Sequence, residues 1–240
     1  MQKVLKGLSI IANVIGIFCL VIVLLLTSVR IIAFSRTYYA KQYKKYDVAG
    51  TIGTTDEELA VITDNMLDYL KGDRENLDMT ADIAMKDGVA EVFTDIEKQH
   101  MVDVQWMFRL GFIARDLTLL GFAVFMILAF FLRRPGFTVR CGRTTLITVA
   151  ATLVLLIAGG YYLLTHFTEL FIKFHEVSFT NDLWILDPSI HVLINLVPEE
   201  FFIGISRDCL IVFALFLVAV IIVSVMMILI GKRRERQRNS

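Results

Sequence analysis

The chain has 240 residues, of which 56% are hydrophobic, and its mean hydropathy is +0.66. Soluble domains are about 45–50% apolar, so this composition excludes an ordinary soluble protein and indicates a membrane protein. The formal net charge is zero, with 24 basic and 24 acidic residues, and the acidic residues are concentrated in two polar segments, which gives no reason to expect nucleic acid as a partner.

Four apolar stretches are long enough to cross a hydrocarbon core of about 30 Å as helices. They predict transmembrane helices at Gly7–Val29, Phe112–Leu132, Thr144–Leu164 and Cys209–Ile230. Polar segments at 35–107 and 166–208 follow the first and third stretches, and we call them the cap segments. The predicted fold is an all-α membrane protein in one domain, residues 1–240, with a small α+β cap.

The charged residues are divided unequally between the segments. The cap segments hold 22 of the 24 acidic residues, whereas the N-terminus, the loop after the second stretch and the C-terminus are basic. Because Lys and Arg stay on the cytoplasmic side, we expect both ends in the cytoplasm and the cap on the outer face. The protein is therefore expected to be a multi-pass protein of the cell membrane.

The string "RIIAFSRTYYAKQYKKY" at residues 30–46 leads from the first stretch into the first cap segment. Its mixture of tyrosine with lysine and arginine is typical of an interfacial anchor or of a surface that contacts anionic lipid. A helix follows, with Thr54 or Thr55 as its N-cap and Gly72 as its C-terminal stop.

Two further elements are predicted before the second transmembrane stretch. Asp87-Gly88 lies between two short runs, which predicts a β-hairpin with a type I′ turn. Thr94 and Glu97 form a capping pair for a helix that continues into the second stretch.

The second cap segment is rich in aromatic residues and has only two cations. Asp187-Pro188 predicts the start of one helix, with aspartate as N-cap and proline at the first helical position. Pro198, followed by two glutamates, predicts the start of another helix that leads into the fourth stretch.

His100 is the first candidate for chemistry, since histidine transfers protons near neutral pH. Glu97 and Asp103 flank it three residues away on each side, so on a helix one of these carboxylates can orient the imidazole. The alternative is a surface salt bridge. No HExxH motif or close His/Cys pair is present, so neither a metal nor a cofactor is expected.

His175 is the second candidate. It lies close in sequence to Phe174, Phe179 and Trp184 and to two polar residues, Asn181 and Asp182. A titratable group among aromatic residues favours a functional role, although a hydrogen-bonded core histidine is the alternative.

Other features of the sequence narrow the chemistry. His166 and His191 have no comparable surroundings and are interpreted as structural. There is no GxSxG elbow, Walker motif or dinucleotide fingerprint, so an enzyme of this sequence would use acid–base chemistry on a lipid.

Four strings together resemble a known family. They are "LDYLKG" at 67–72, "EKQHMVDV" at 97–104, "FHEVSFTNDLWILDP" at 174–188 and "LINLVPEEFF" at 193–202. In this order between four apolar stretches they are similar to the bacterial lipoprotein intramolecular transacylases, abbreviated Lit. The resemblance implies a four-helix membrane protein with an extracellular cap that transfers an acyl chain within one lipoprotein molecule.

The reaction implied by the resemblance uses a diacylated lipoprotein of the outer leaflet, and membrane lipids are the other expected partners. The acyl chain leaves the sn-2 ester of the diacylglyceryl group for the α-amino group of the N-terminal cysteine, which gives the lyso-form.

The two catalytic histidines of the family match His100 and His175. We expect His100 to act as base, oriented by Asp103 or Glu97, and His175 as acid or oxyanion stabiliser; the reverse assignment stays open.

Residues of both cap segments are expected to support the site or to line its substrate pocket. Asn181 and Asp182 are predicted to support the site, and the substrate pocket is predicted to be lined by Phe174, Phe179, Trp184, Phe202 and Tyr69. The main alternative is a membrane sensor or accessory subunit whose cap binds a partner. A membrane metallohydrolase that uses the two histidines and nearby acids is a second alternative.

Overall fold

The structure is a computed structural model that describes residues 2–134 and 136–239. In chain order its elements are α1 (Gln2–Ala33), α2 (Arg36–Tyr46), α3 (Val48–Ile52), α4 (Asp56–Lys71), β1 (Thr80–Ile83), β2 (Gly88–Glu91), α5 (Asp95–Leu132), α6 (Phe137–Thr165), α7 (Phe167–Ser178), α8 (Val192–Leu196) and α9 (Glu199–Asn239). The predicted class, a helical membrane protein with a short hairpin, is confirmed.

Within the described residues, α1, α5, α6 and α9 are long and apolar enough to cross a membrane. Each contains one predicted stretch and extends beyond it. Helix α5 begins at Asp95 because Thr94 and Glu97 form the predicted capping pair: the Glu97 amide donates to Thr94 Oγ1, and the Thr94 amide donates to Glu97 Oε2 at 2.7 Å. Helix α9 begins directly after Pro198, as predicted.

The chain forms two compact units. The span unit comprises the residues up to Arg30, Phe112–Tyr162 and the residues from Arg207 onward. The cap unit comprises Ile31–Gly111 and Leu163–Ser206, and it contains every predicted site residue. That the chain is a single domain stays a prediction.

Small residues bring the helices of the span unit close together. A β-carbon at Gly142 in α6 would lie 2.8 Å from the carbonyl oxygen of Ser224 in α9, so the two backbones touch there. Ser9 Oγ in α1 donates to the carbonyl oxygen of Ala129 in α5 at 2.8 Å. Close packing and interhelical hydrogen bonds of this kind hold helices together where lipid removes the hydrophobic driving force.

The cap unit has its own hydrophobic core. The apolar stripe of α4 is buried in it as predicted, and its members are Leu59, Ile62, Met66, Tyr69 and Leu70. Helix α4 also has the predicted ends, since Thr55 Oγ1 accepts from the Glu58 amide and Gly72 has a left-handed φ of 86°. Tyr39 and Tyr43 of α2 are buried in the same core, so these two tyrosines are core residues rather than interfacial anchors.

The predicted hairpin is present, but its turn differs. Strands β1 and β2 pair antiparallel with Ile83 opposite Gly88, so residues 84–87 form the connection. Asp87 has a left-handed φ of 61°, and its amide donates to the carbonyl oxygen of Ala84. The predicted type I′ turn at Asp87-Gly88 is therefore wrong, because a 3₁₀ turn at Ala84–Lys86 leaves Gly88 inside the second strand.

Asp187-Pro188 does not begin a helix, contrary to the prediction. The Asp187 carboxylate accepts from the amide and hydroxyl of Ser189 at 2.8 and 2.7 Å, and this closes a turn. Helix α8 begins only at Val192, after His191, whose Nδ1 accepts from the Asp187 amide at 2.8 Å. The aspartate therefore caps a local turn, a use of its side chain that competes with helix initiation.

Two glycines with positive φ allow a test of the cap unit's packing. Gly53 has a φ of 69°, and a β-carbon there would overlap the β-carbon of Ala84, whereas one at Gly72 would meet nothing within 4 Å. We expect Gly72→Ala to lower stability by about 1–2 kcal/mol through backbone strain alone, and Gly53→Ala to lower it more. Thermal unfolding in detergent measures both. Equal losses would mean that Ala84 moves away without cost.

Candidate active site

A buried carboxylate joins the two cap segments. Glu97 is fully buried in the first turn of α5, where Oε2 accepts from the amide and hydroxyl of Thr94 at 2.7 and 2.8 Å. Oε1 accepts from the backbone amide of Leu193, at the start of α8, at 2.6 Å. Both carboxylate oxygens are therefore engaged by other groups, so Glu97 stabilises backbone amides instead of orienting His100 as predicted.

A second polar contact joins the same parts of the chain. Asp103, two turns along α5 from Asp95, accepts from Asn181 Nδ2 at 2.9 Å through Oδ2. Asn181 Oδ1 accepts in turn from the Leu183 amide at 3.1 Å, which holds the amide group in place. The structure thus brings together two predicted supporting residues that are 78 positions apart in sequence.

The two predicted histidines lie side by side. The rings of His100 in α5 and His175 in α7 have centroids 6.2 Å apart with an interplanar angle of 31°. Phe179 contacts both rings, at 5.2 Å from His100 and 5.5 Å from His175. Both histidines are buried, at 7% and 8% relative exposure, so the pair lies in a largely dry setting.

Aromatic side chains surround His175. Trp184 lies at 5.0 Å and Phe174 at 5.4 Å between ring centroids, and Phe171 lies at 4.2 Å. The carbonyl oxygen of Phe171 also accepts a hydrogen bond from His175 Nδ1 at 2.7 Å. Because a carbonyl only accepts, Nδ1 carries the proton in this arrangement, and Nε2 is left to exchange a proton with a substrate.

The surroundings of the two imidazoles differ. Burial and the positive form of His175 lower the pKa of His100 to about 4, and the Asp103 carboxylate only partly opposes this. Burial also lowers the pKa of His175, but the hydrogen bond to the Phe171 carbonyl raises it again. His100 Nδ1 is buried and has no hydrogen-bond partner among the described residues. Both rings are therefore neutral near pH 7, and His100 is the harder of the two to protonate.

The other predicted site residues are placed unequally. Phe202 contacts Phe171, at 5.2 Å between ring centroids, and Phe171 in turn contacts His175. Asp182 is exposed and follows Asn181 in the loop after α7. Tyr69 is buried in the core of the cap unit, 4% exposed, so its predicted position in the substrate pocket has no geometric support.

The other two histidines differ from this pair. His191 is buried and bonded to Asp187, and His166 Nδ1 lies 2.9 Å from Thr165 Oγ1 on the exposed N-terminal side of α7. Among the described residues, no group of three or more His, Cys, Asp or Glu side chains could hold a metal ion.

Sequence reasoning did not identify Phe171. It lies four residues before His175, the spacing that places two side chains on the same face of a helix. That spacing could have identified the ring contact. The hydrogen bond from the histidine to the Phe171 carbonyl gives no pattern in sequence.

An open pocket of about 370 Å³ is lined in part by the hydrogen-bonded residues Asp103 and Asn181. One wall comes from α5 and the other from the end of α7 and the loop after it, and the lining residues are Asp103, Trp106, Met107, Leu110, Ser178, Phe179, Thr180 and Asn181. Phe179, which contacts both histidine rings, also lines this pocket, so pocket and imidazoles share a side chain.

Comparisons with known proteins agree on one family. The family model described as "Lipoprotein intramolecular transacylase Lit" matches residues 14–202. No curated protein matches the chain at a significant level.

Solved structures with a similar fold include the membrane integral lipoprotein intramolecular transacylase Lit from Bacillus cereus, which has 17% identity and a TM-score of 0.62 and covers 100% of this chain and 99% of its own. Two variants of that protein, with one histidine replaced by arginine or by alanine, are also similar. The arginine variant has 16% identity and a TM-score of 0.64, with 99% of this chain and 95% of its own covered. The alanine variant has 18% and 0.60, with 100% and 96% covered.

Glu97 can be tested as a structural residue. We expect Glu97→Ala to lower the free energy of unfolding by about 3 kcal/mol, because it leaves the buried amide of Leu193 and the partly buried amide of Thr94 without an acceptor. Glu75→Ala, at an exposed carboxylate of the cap unit, is the matched control and should change little. Thermal unfolding in detergent provides the measurement. A loss no larger than the control's would show that water replaces the carboxylate.

The pKa of His100 can be tested by titration. We expect its imidazole to titrate near pH 4 in an NMR experiment, so the folded protein destabilises progressively as the pH falls from about 6.5, the ordinary value, toward about 4. His175→Gln should raise this pKa because it removes a nearby positive charge, and Asp103→Asn should lower it because it removes a negative one. Shifts of the same sign in the two variants would contradict this electrostatic account.

Proposed function

The chain belongs to the lipoprotein intramolecular transacylase family, and on that basis we propose which of its residues transfer the acyl chain. It is a membrane acyltransferase that moves the sn-2 ester acyl chain of a diacylglyceryl-cysteine to the α-amino group of the same molecule. The proposal concerns His100 and His175 as the catalytic residues. The single observation that carries it is the pairing of two buried imidazoles with centroids 6.2 Å apart.

The difference between the two surroundings supports separate roles. Where environments push the pKa values of a pair apart, the group that is harder to protonate acts as base and the other as acid. His100 has its pKa lowered to about 4, and the Phe171 carbonyl favours the protonated form of His175. We therefore assign His100 as the base and His175 as the acid.

The proton transfers balance in this scheme. The substrate ammonium group first gives one proton to Nε2 of the neutral His175, and the resulting amine attacks the ester carbonyl. A C–N bond forms, and the nitrogen then loses a second proton to His100. The C–O bond to the glyceryl group then breaks as His175 donates a proton from Nε2 to the departing oxygen. His175 keeps its Nδ1 proton on the Phe171 carbonyl throughout and is neutral again after this step. His100 releases its proton to water, because the positive charge of the ammonium group is lost when the amide forms.

The aromatic surroundings support acyl transfer over hydrolysis. The rings of Phe174, Phe179 and Trp184 cover the imidazole of His175 and limit the access of water, which would otherwise take the acyl chain. Amine and ester belong to one molecule, and a well-oriented intramolecular reaction reaches effective molarities of about 10⁵–10⁸ M. Binding the substrate in a cyclic conformation is therefore a large part of the catalysis.

The location of the reaction follows from charge. We propose that both ends of the chain lie in the cytoplasm of a bacterial cell and that the site faces the outer leaflet, where it meets diacylated lipoprotein. The observation that supports this is the concentration of 22 of the 24 acidic residues in the cap segments. We also propose one domain, since α1, α5, α6 and α9 each contribute residues to both units.

Mass spectrometry tests the catalytic roles. A diacylated lipopeptide is incubated in membranes with the wild type, His100→Ala and His175→Ala, and fragmentation locates the acyl chain because its transfer leaves the total mass unchanged. We expect the N-acyl product from the wild type and a loss of about 10²-fold or more from each variant, the usual contribution of general acid–base catalysis. His166→Ala is the control and should be active, because its exposed ring lies outside the pair.

The outcomes separate the alternatives. Full activity of both histidine variants would reject the proposed catalytic pair. An unchanged lipopeptide with folded wild type would favour a sensor or accessory subunit, and activity lost to a chelator and restored by zinc would favour a metallohydrolase.

A further inference from the structure

One face of α5 carries three kinds of chemistry in succession. His100, Asp103, Met107 and Leu110 recur at spacings of three and four residues, which places them on one side of the helix. Asp103 and the two apolar residues line the open pocket, together with Trp106. Leu110 and Trp106 are 47% and 55% exposed, so the apolar part of this face is accessible to a lipid chain.

Asp103 is the ionisable residue of that pocket. Among the described residues that line it, the others are apolar or neutral polar side chains. Oδ2 of Asp103 accepts from Asn181, and Oδ1 has no hydrogen-bond partner among the described residues. His100 on the same helix interacts electrostatically with Asp103, and Arg109 lies beside Trp106 of the same pocket. His100 and His175 are both neutral near pH 7 because burial lowers the pKa of each.

The proposed reaction supplies a cation for this carboxylate. An α-amino group has a pKa of about 7.7–8.0, so the acceptor nitrogen of the substrate is mostly an ammonium group near neutral pH. An ammonium group forms charge-assisted hydrogen bonds with a carboxylate, and these are stronger than bonds between neutral groups. The apolar residues beside Asp103 fit the acyl chains that lie close to that nitrogen in a diacylated lipopeptide.

We propose that Asp103 binds the α-ammonium group of the substrate and thereby selects lipoproteins with a free N-terminus. This inference rests on the proposed function. The Asn181 amide holds the carboxylate in position through Oδ2, which leaves Oδ1 to accept from the ammonium group. One turn before it, His100 lies where it can take a proton from the same nitrogen.

The same contact distinguishes substrate from product. Transfer converts the ammonium group into an amide, which carries no positive charge. The product therefore loses its charge-assisted contact with Asp103 while its chains still contact Trp106 and Leu110. Asp103 accordingly favours the unreacted molecule in the site and assists release of the product.

Binding of two unreactive analogues tests this proposal without any catalytic step. Both are lipopeptides whose chains are joined to the glyceryl group by ether bonds, one with a free α-amino group and one N-acetylated. We expect the wild type in nanodiscs to bind the free amine about tenfold more tightly at pH 7, as for hydrogen bonds to a charged group. Asp103→Asn should abolish this preference while its affinity for the acetylated analogue stays the same, which also shows that the variant is folded.

Two further variants sharpen the test. Asp103→Glu keeps the charge and should keep much of the preference, whereas Asp95→Asn removes an exposed charge from the first turn of the same helix and should leave it unchanged. Equal binding of the two analogues by the wild type, or a preference that persists in Asp103→Asn, would overturn the proposal. Transfer of an ester-linked lipopeptide by the same wild-type preparation decides the proposed function separately.

Discussion

The arrangement of the site depends on one buried carboxylate. Glu97 caps α5 and accepts from Leu193, a residue 96 positions later, so it fixes the second cap segment against the start of the helix that carries His100. The contact between Asp103 and Asn181 repeats this connection six residues further along α5. With both contacts made, α7 is held so that His175 lies next to His100, and neither segment alone contains a complete site.

The chemistry of the pair follows from the removal of water. Two free imidazoles would each be partly protonated near pH 6.5, and two positive rings at this separation would repel. Burial among aromatic rings keeps both neutral, and the contact of Phe179 with each ring maintains the spacing. The proposed base and the proposed acid are thus of the same residue type, and they differ only through the groups beside them.

Local patterns predicted much of this structure. The four apolar stretches, the Thr94 and Glu97 capping pair and the helix that ends at Gly72 all depend on neighbouring residues, and each is confirmed. His100 and His175 are candidates in the sequence for two reasons: the residues around them favour a chemical role, and both match the catalytic histidines of the family that the sequence resembles. The structure brings the two histidines together, although their catalytic roles are still to be tested.

What sequence could not predict depends on which of two possible contacts a side chain makes. Glu97 has the spacing of a histidine partner, but the Leu193 amide occupies one of its oxygens. Tyr69 is an aromatic residue that could line a pocket, but it belongs to the apolar stripe of α4, which packs in the core of the cap unit. Asp187 could cap a helix, but its carboxylate instead accepts a hydrogen bond from the amide of Ser189, two residues later. In each case the side chain could make either of two contacts, and the folded structure determines which one it makes.

The unpartnered Nδ1 of His100 has a consequence for engineering. A buried polar atom without a partner costs about 1–3 kcal/mol of stability, and an apolar side chain of similar shape removes that cost. A search for heat-resistant forms of this enzyme would therefore favour replacing His100 early, and with the proposed roles the selected proteins would fold well but lose most of their acyl-transfer activity. Screens for thermal tolerance in this family need an activity readout at every round, because the atom that destabilises the fold belongs to the group proposed to carry out the reaction.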